Sequence, residues 1–168
     1  MHSSGSHRRR WFQVVSQRIS ASRVGAAIFA RVMHHLDRPV MRLSHGRFSP
    51  ASMLSGIPTV MLTTVGRRSG QLRSVPLAGI PHGDEVVLIA SNWGRSMHPA
   101  WYLNLRAQPK AQLLIGGCSR SYVAREASGA EREDYWRKAV EVYPGYAAYV
   151  QRTGGRKIPV MVLTPETN

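Results

Sequence analysis

A short basic segment of the chain carries the residue types that bind anions. In "GRRSGQLR", residues 66–73, three arginines surround two glycines and a serine, with no carboxylate among them. Guanidinium groups bind phosphate and carboxylate oxygens through charge-assisted, often bidentate hydrogen bonds, and glycine lets the backbone approach an anion closely. The segment therefore predicts an anion-binding loop in which Arg68 and Arg73 hold the anion and the Ser69 hydroxyl donates to it. A solvated turn is the alternative.

The overall charge points to the same class of ligand. The chain of 168 residues has 23 Lys and Arg against 9 Asp and Glu, a net charge of +14. Such a surface attracts phosphate, carboxylate or anionic lipid over long range. Nucleic acid is an alternative partner, but the basic residues form no recognised reading motif, so we do not expect one.

The first 50 residues form a basic segment, with nine arginines and a single acidic residue, Asp37. Between residues 11 and 33 an amphipathic helix is predicted, and it packs either on the domain or on a membrane surface. Arginines interrupt every span of roughly 20 apolar residues there, which argues against a transmembrane helix. The apolar stripe consists of Trp11, Val15, Ile19, Ala26, Phe29 and Met33.

The chain is expected to have two parts, the basic segment 1–50 and a folded domain 51–168. A single cysteine, Cys118, cannot form an internal disulfide, so a cytoplasmic location is the default. Peripheral binding at the inner face of the cell membrane is the alternative.

The pattern after Pro50 is that of an antiparallel sheet with helices. Strands are predicted for "IPTVMLTTVG", "LRSVPLAGI", "EVVLIAS", "AQLLI", "SRSYVAREA" and "KIPVMVLTP", with hairpin turns at "PHGD" and "GG". "HPAWYLNLRAQP" predicts a short helix. Ser128 and Glu131 have capping-box spacing at the start of another helix, which Pro144 interrupts before residues 146–152 resume it. Hairpins favour an α+β fold with an antiparallel sheet or small barrel over a parallel nucleotide-binding fold.

Several common chemistries have no counterpart in the sequence. The seven histidines are scattered, and no HExxH, CxxC, GxSxG or GxxxxGK pattern occurs. We therefore expect no metal site, no nucleophilic serine and no P-loop.

Three stretches, "LTTVGRRSGQLRSVPL", "IASNWGRSMHPAWYLNL" and "VYPGYAAYVQRTGGRKIPVMVLTP", resemble in order and spacing the deazaflavin-dependent nitroreductase and quinone reductase family of actinobacteria and relatives. The resemblance covers about residues 58–165. It implies a split β-barrel with flanking helices that binds coenzyme F420, a deazaflavin whose tail carries a phosphodiester and oligoglutamate. It also implies hydride transfer from reduced F420 to a quinone, a nitro compound or an activated alkene.

The resemblance further implies roles for individual residues. The basic loop receives the acidic tail, the following strand runs alongside the cofactor, and the turn after "EVVLIAS" and the helix beginning at "AWYLN" support the ring. The implied cofactor contacts are Arg67, Arg68, Ser69, Gln71, Arg73, Ser74, Val75, Pro76, Leu77, Ala78, Gly79, Ile89, Ala90, Ser91, Asn92, Ala100, Trp101, Tyr102, Leu103, Asn104 and Tyr146. Core packing is the alternative role for Trp101 and Tyr102.

Acceptor binding is expected near the tyrosine motif "YPGYAAY". Tyr143, Tyr146 and Tyr149 are expected to line the acceptor pocket with Trp93, and Tyr146 and Ser91 are the expected catalytic residues. Close relatives often have lysine where this chain has Asn92, so the acceptor pocket is expected to differ in shape. A flavin mononucleotide (FMN) enzyme with a similar barrel is the alternative to an F420 enzyme.

Overall fold

The structure, a computed structural model, describes residues 58–167. The predicted helix over residues 11–33 lies outside the described residues. Residues 58–167 contain seven strands and three α-helices, and a 3-10 turn spans Asn92–Gly94. The bounds are β1 Thr59–Val65, β2 Leu72–Ala78, β3 Ile80–His82, β4 Glu85–Ile89, α1 Ala100–Ala107, β5 Lys110–Ile115, β6 Cys118–Glu126, α2 Gly129–Val142, α3 Gly145–Val150 and β7 Val160–Pro165.

The strands form one curled sheet in which every neighbouring pair is antiparallel. The strand order is β2-β1-β5-β6-β7-β4-β3, so β2 and β3 lie at the two edges. The predicted hairpins are confirmed: β3 pairs with β4 across "PHGD" and β5 pairs with β6 across Gly116 and Gly117. Both glycines of the second turn have a positive φ, 55° and 90°, which favours glycine. The α+β class with a half-barrel sheet is therefore confirmed.

The sheet buries both of its faces. Side chains alternate along β4, because successive residues of a strand point to opposite faces. Val86 and Leu88 join the inner core beneath α1, whereas Val87 and Ile89 join an outer core under α2 and α3. Trp101, Tyr102 and Leu105 of α1 pack on the strand residues of the inner core, and four tyrosines from the α2–α3 region pack on those of the outer core. The two cores fix α1 and α3 on opposite faces of the same strands.

One predicted strand is two strands in the structure. "LRSVPLAGI" is interrupted at Gly79, which separates β2 from β3. A Cβ atom added to Gly79 would lie 2.6 Å from Cγ1 of Val60 and 3.2 Å from Cγ1 of Val86. The chain therefore turns where its backbone touches side chains of β1 and β4, and only glycine leaves room for that contact.

The capping box predicted at the start of α2 is not formed. Ser128 is the residue before the helix, but its side chain makes no capping hydrogen bond. Glu131 instead accepts two hydrogen bonds from Arg125 of β6, at 2.7 and 2.6 Å. A bidentate guanidinium–carboxylate pair is stronger than a neutral cap, so the side chain that the motif needs is already engaged.

Replacing Gly79 with alanine should lower the free energy of unfolding by about 1–3 kcal/mol, as expected when a methyl group is forced into a filled core. Denaturant titration measures this change. In a Val60→Ala background, Gly79→Ala should cost less free energy of unfolding than it does in the wild type, because the methyl groups of Val60 that it clashes with are gone. An unchanged unfolding midpoint in Gly79→Ala would contradict this account of the break.

Candidate functional site

The basic loop lies in the hairpin between β1 and β2 and is closed by its own backbone. Gly66 donates to the carbonyl of Gln71 at 2.8 Å, while Ser69 and Gly70 donate to the carbonyl of Gly66 at 3.1 and 2.7 Å. Gly70 has a φ of 66°, which lets the chain return toward β2. The loop is therefore compact, although its side chains are exposed.

A buried asparagine ties this loop to α1. Asn104 is 6% exposed. Its Oδ1 accepts from the backbone N–H of Arg67 at 3.1 Å, and its Nδ2 donates to Oγ1 of Thr64 at 3.0 Å. Asn104 was predicted as a cofactor contact. In the structure its side-chain amide holds the backbone of the loop, and its contact with the cofactor stays a prediction.

The arginines of the loop have no acidic partner in the described part of the chain. Arg67, Arg68 and Arg73 are exposed, and none of them forms one of the ion pairs among residues 58–167. Other arginines of the domain do pair with carboxylates, for example Arg125 with Glu131 at 2.6 Å. Three cations on a compact loop are therefore available to an anionic ligand.

The second predicted segment is the turn that follows β4. Asn92 and Trp93 have φ values of 50° and 58°, a left-handed conformation that is unfavourable for residues with a side chain. Nδ2 of Asn92 donates to the carbonyl of Met97 at 2.9 Å. A Cβ atom on Gly94 would lie 3.2 Å from Cα of Tyr149, so the turn touches α3. Ser91, the residue before the turn, is 8% exposed.

Sequence reasoning assigned no role to Arg156, which holds this turn. Its guanidinium group donates to the backbone carbonyls of Ala90, Ser91 and Arg95 at 2.7 to 3.2 Å. It also lies 3.2 Å from Nδ1 of His98. The quoted motif "RTGGRKIPV" includes Arg156, but an arginine after two glycines gives no signal that it will reach back to residues 90–98.

Helix α1 begins beside this arginine and carries a polar chain of contacts. The ring of His98 stacks on that of Tyr102, with centroids 4.8 Å apart. The Tyr102 hydroxyl donates to Oε2 of Glu126 at 2.9 Å and accepts from Arg106 at 3.0 Å. Burial raises the pKa of Tyr102, and the hydrogen bond from Arg106 opposes that shift. Tyr102 and Trp101 are 5% and 7% exposed, in keeping with the core-packing alternative.

The three predicted pocket tyrosines form one buried cluster under α2. Tyr143, Tyr146 and Tyr149 are 7%, 6% and 1% exposed, and the hydroxyls of Tyr143 and Tyr149 share a hydrogen bond of 2.9 Å. The Tyr143 ring occupies the space that a side chain on Gly145 would need. Burial, and then Tyr143, raises the pKa of Tyr146 and Tyr149 well above that of an ordinary phenol. Both hydroxyls are therefore neutral at physiological pH.

The structure joins the predicted segments in two groups. The basic loop is joined to α1, whose side chains lie in the inner core, whereas the tyrosines lie in the outer core. The turn at residues 92–94 is next to both, since α1 follows it and the Trp93 ring lies 6.3 Å from that of Tyr149. The other predicted cofactor contacts differ in exposure. Two are exposed, Gln71 and Ala100, and two are buried, Ile89 and Ala90. The half-buried ones are Ser74, Val75, Pro76, Leu77, Ala78 and Leu103.

The described residues contain no helix long and apolar enough to cross a membrane.

The curled antiparallel sheet, with α1 on one face and α2 and α3 on the other, defines a split-barrel protein. The solved structure of an F420-H2 dependent reductase, FDR-A, matches with a TM-score of 0.58 and 40% identity, over 63% of this chain and 93% of that one. A solved domain-swapped dimer matches with a TM-score of 0.60 and 35% identity, over 74% and 93% of the two chains.

The chain belongs to the F420H(2)-dependent quinone reductase family, whose model matches residues 38–165. A Mycobacterium tuberculosis protein provisionally named as such a reductase is 34% identical over 125 residues, 74% of this chain and 99% of the relative. A second M. tuberculosis protein, named F420H(2)-dependent quinone reductase, is 33% identical over 64% of this chain and 73% of its own length. The protein is therefore an oxidoreductase that uses coenzyme F420, and the FMN alternative is not supported.

The contact between Arg156 and His98 predicts a pH dependence of stability. Burial, and then the charge of Arg156, lowers the pKa of His98 below 6.5. A histidine whose pKa is lower in the folded than in the unfolded chain binds fewer protons when folded. Its contribution is complete above about pH 6.5 and is lost as pH falls from there through the lowered pKa.

The wild-type protein should therefore lose more free energy of unfolding between about pH 7.5 and pH 5 than His98→Gln, whose amide does not titrate. Denaturant titration at several pH values measures both slopes. Equal slopes would show that His98 does not contribute to the acid sensitivity of the fold.

Proposed function

We propose that the basic loop binds the acidic tail of F420, and that β2 and the turn after β4 flank its deazaflavin ring. The proposal assigns the tail to Arg67, Arg68 and Arg73, and it places the quinone on the side of the ring nearest Trp93 and the tyrosine cluster. The observation that carries it is the set of exposed arginines on a compact loop, none of which forms an ion pair with another described residue.

The loop fits a ligand with several negative charges. Two or three guanidinium groups can bind the phosphodiester and carboxylates of an F420 tail at once, whereas a single phosphate would use fewer of them. Because Asn104 fixes the backbone of Arg67, the backbone of the loop loses little conformational freedom on binding. No acidic side chain within residues 58–167 competes with the ligand for the three arginines. These contacts support the choice of a polyanionic tail.

Strand β2 and the turn after β4 support the proposed site of the deazaflavin ring. Ser74 to Ala78 of β2 are half-buried, so this edge strand presents a partly covered surface beside the loop. The turn at Ser91 and Asn92 offers a backbone fixed by Arg156. Reduced F420 supplies a hydride from C5 of its ring when bound. The chain's part is to hold donor and acceptor about 3–3.5 Å apart and to exclude water from the space between them.

The tyrosine cluster supports a division of roles at the acceptor. Tyr143 and Tyr149 share a hydrogen bond between their hydroxyls, which suits them to form the pocket wall. Tyr146 has a neutral hydroxyl, as any tyrosine does at physiological pH, and such a hydroxyl can donate to a quinone oxygen; burial raises its pKa further. We therefore keep Tyr146 and Ser91 as the proposed catalytic residues, with Trp93 at the entrance. Nitro compounds and activated alkenes remain further acceptors to test.

Neutralising the loop should weaken F420 binding and leave the fold intact. The variant Arg68→Gln, Arg73→Gln should raise the Kd for F420 by about tenfold or more, since charge-assisted hydrogen bonds to its tail are lost. Fluorescence titration of F420 measures the Kd. The matched control Arg120→Gln, Arg137→Gln removes the same charge elsewhere on the surface and should change the Kd little.

An equal Kd in the loop variant and the wild type would overturn the assignment of the tail to this loop. A wild-type protein that fails to oxidise F420H(2) with menadione would instead overturn the proposed acceptor class.

We also propose that the basic segment 1–50 brings the enzyme to anionic lipid, where quinones reside. Its nine arginines, each contributing about 1 kcal/mol near an anionic surface, support this proposal. Cosedimentation with phosphatidylglycerol vesicles at about 0.15 M salt tests it, with neutral phosphatidylcholine vesicles as control. Equal recovery with both lipids would overturn it.

A further inference from the structure

We infer that Arg156 is a positioning residue for hydride transfer, which fixes the turn between β4 and α1 and, through that turn, the place of Trp93 at the acceptor. The inference rests on the proposed function, which puts the deazaflavin ring beside this turn.

The guanidinium group of Arg156 spans the turn from one end to the other. Nη1 donates to the carbonyl of Ala90 at 3.2 Å and Nη2 to that of Ser91 at 2.7 Å, on the β4 side. Nε and Nη2 donate to the carbonyl of Arg95 at 3.2 and 3.0 Å, on the α1 side. One planar group therefore sets the distance between the two ends of the turn.

The turn needs such a restraint because its conformation is unfavourable. Asn92, Trp93 and Gly94 are consecutive residues with φ values of 50°, 58° and 76°. A left-handed conformation at two residues that carry side chains persists only where surrounding contacts impose it. Two of the carbonyls that Arg156 binds directly precede these residues, and the third directly follows them.

The charge of Arg156 is used for these contacts and for no ion pair within residues 58–167. The side chain is half-buried, and its partners are three backbone carbonyls and the Nδ1 atom of His98. Burial lowers the pKa of Arg156 from its usual value. Arginine stays protonated in proteins, so all five N–H groups of Arg156 remain donors. In this position they hold backbone carbonyls rather than a carboxylate.

Lysine could not replace this group fully. An ammonium group is a compact charge with three donors, whereas guanidinium offers five donors in a fixed plane. A lysine at position 156 could reach one side of the turn and leave the other side unrestrained.

Other contacts should keep the turn folded when Arg156 is lost. The amide of Asn92 binds the carbonyl of Met97, and Gly94 lies against Tyr149 of α3. We therefore expect removal of the guanidinium group to loosen the turn without unfolding the domain. Trp93, which is 36% exposed and lies beside the Tyr149 ring, should lose its fixed position.

The experiment compares Arg156→Met and Arg156→Lys with the wild type and with Lys157→Met, which removes the neighbouring exposed cation. Hydrogen exchange of residues 92–97 is measured without cofactor, and thermal unfolding is recorded in parallel. The Kd for F420 is then measured by fluorescence, and kcat and KM are measured with F420H(2) and menadione.

Arg156→Met should exchange faster at residues 92–97, and its kcat/KM for menadione should fall at least about tenfold, since misplacement by about 1 Å can cost a hundredfold. Arg156→Lys should lie between Arg156→Met and the wild type in both measurements. Lys157→Met should match the wild type. Because the basic loop is untouched, the Kd for F420 should change less than in Arg68→Gln, Arg73→Gln.

Unchanged exchange in both Arg156 variants would overturn the restraint itself, whatever the protein catalyses. Faster exchange with unchanged kcat/KM would overturn the positioning role while leaving the reductase activity in place. If Arg156→Met does not fold, Arg156→Lys decides the same question. A wild-type protein that neither binds F420 nor reduces menadione would contradict the proposed function, and the exchange data would still test the restraint.

Discussion

Hydrogen bonds between side chains and backbone groups hold the two loops of the candidate site, and the other features of the site depend on them. Asn104 fixes the loop before β2, and Arg156 fixes the turn after β4. Neither loop belongs to the sheet ladder, so these bonds limit the conformations that each loop can adopt. These two side chains therefore help to decide where the groups proposed to bind the ligand lie.

The curled sheet explains how these loops come near the same helix. Strands β4 and β7 contribute to the inner core on one face and to the outer core on the other. Helix α1 is held by the inner core, and α3 by the outer core. The turn at residues 92–94 precedes α1 and contacts Tyr149 of α3, while the cationic loop is tied to α1 through Asn104. The proposed path of the cofactor, with its charged tail at the loop and its ring at the turn, follows this arrangement.

The sequence predicted the hairpins, the helices and the cationic loop because these depend on local patterns. Alternating apolar residues, glycine turns and prolines specify them within a few positions of the chain. The break at Gly79 was missed because it depends on Val60 and Val86, which meet it only after folding. Arg156 was missed for the same reason, since its partners are 58 to 66 positions away in the chain. The capping box failed because Arg125 engages Glu131 more strongly.

The Tyr143 ring packs directly against Gly145, so a substitution at either position affects the other. A larger residue at 145 would need the space of the phenol ring, and a smaller residue at 143 would leave a hole and remove the partner of the Tyr149 hydroxyl. Related chains that lose the glycine should therefore also lose the tyrosine. Comparing this pair of positions across such chains would reveal which of them have rebuilt the tyrosine cluster.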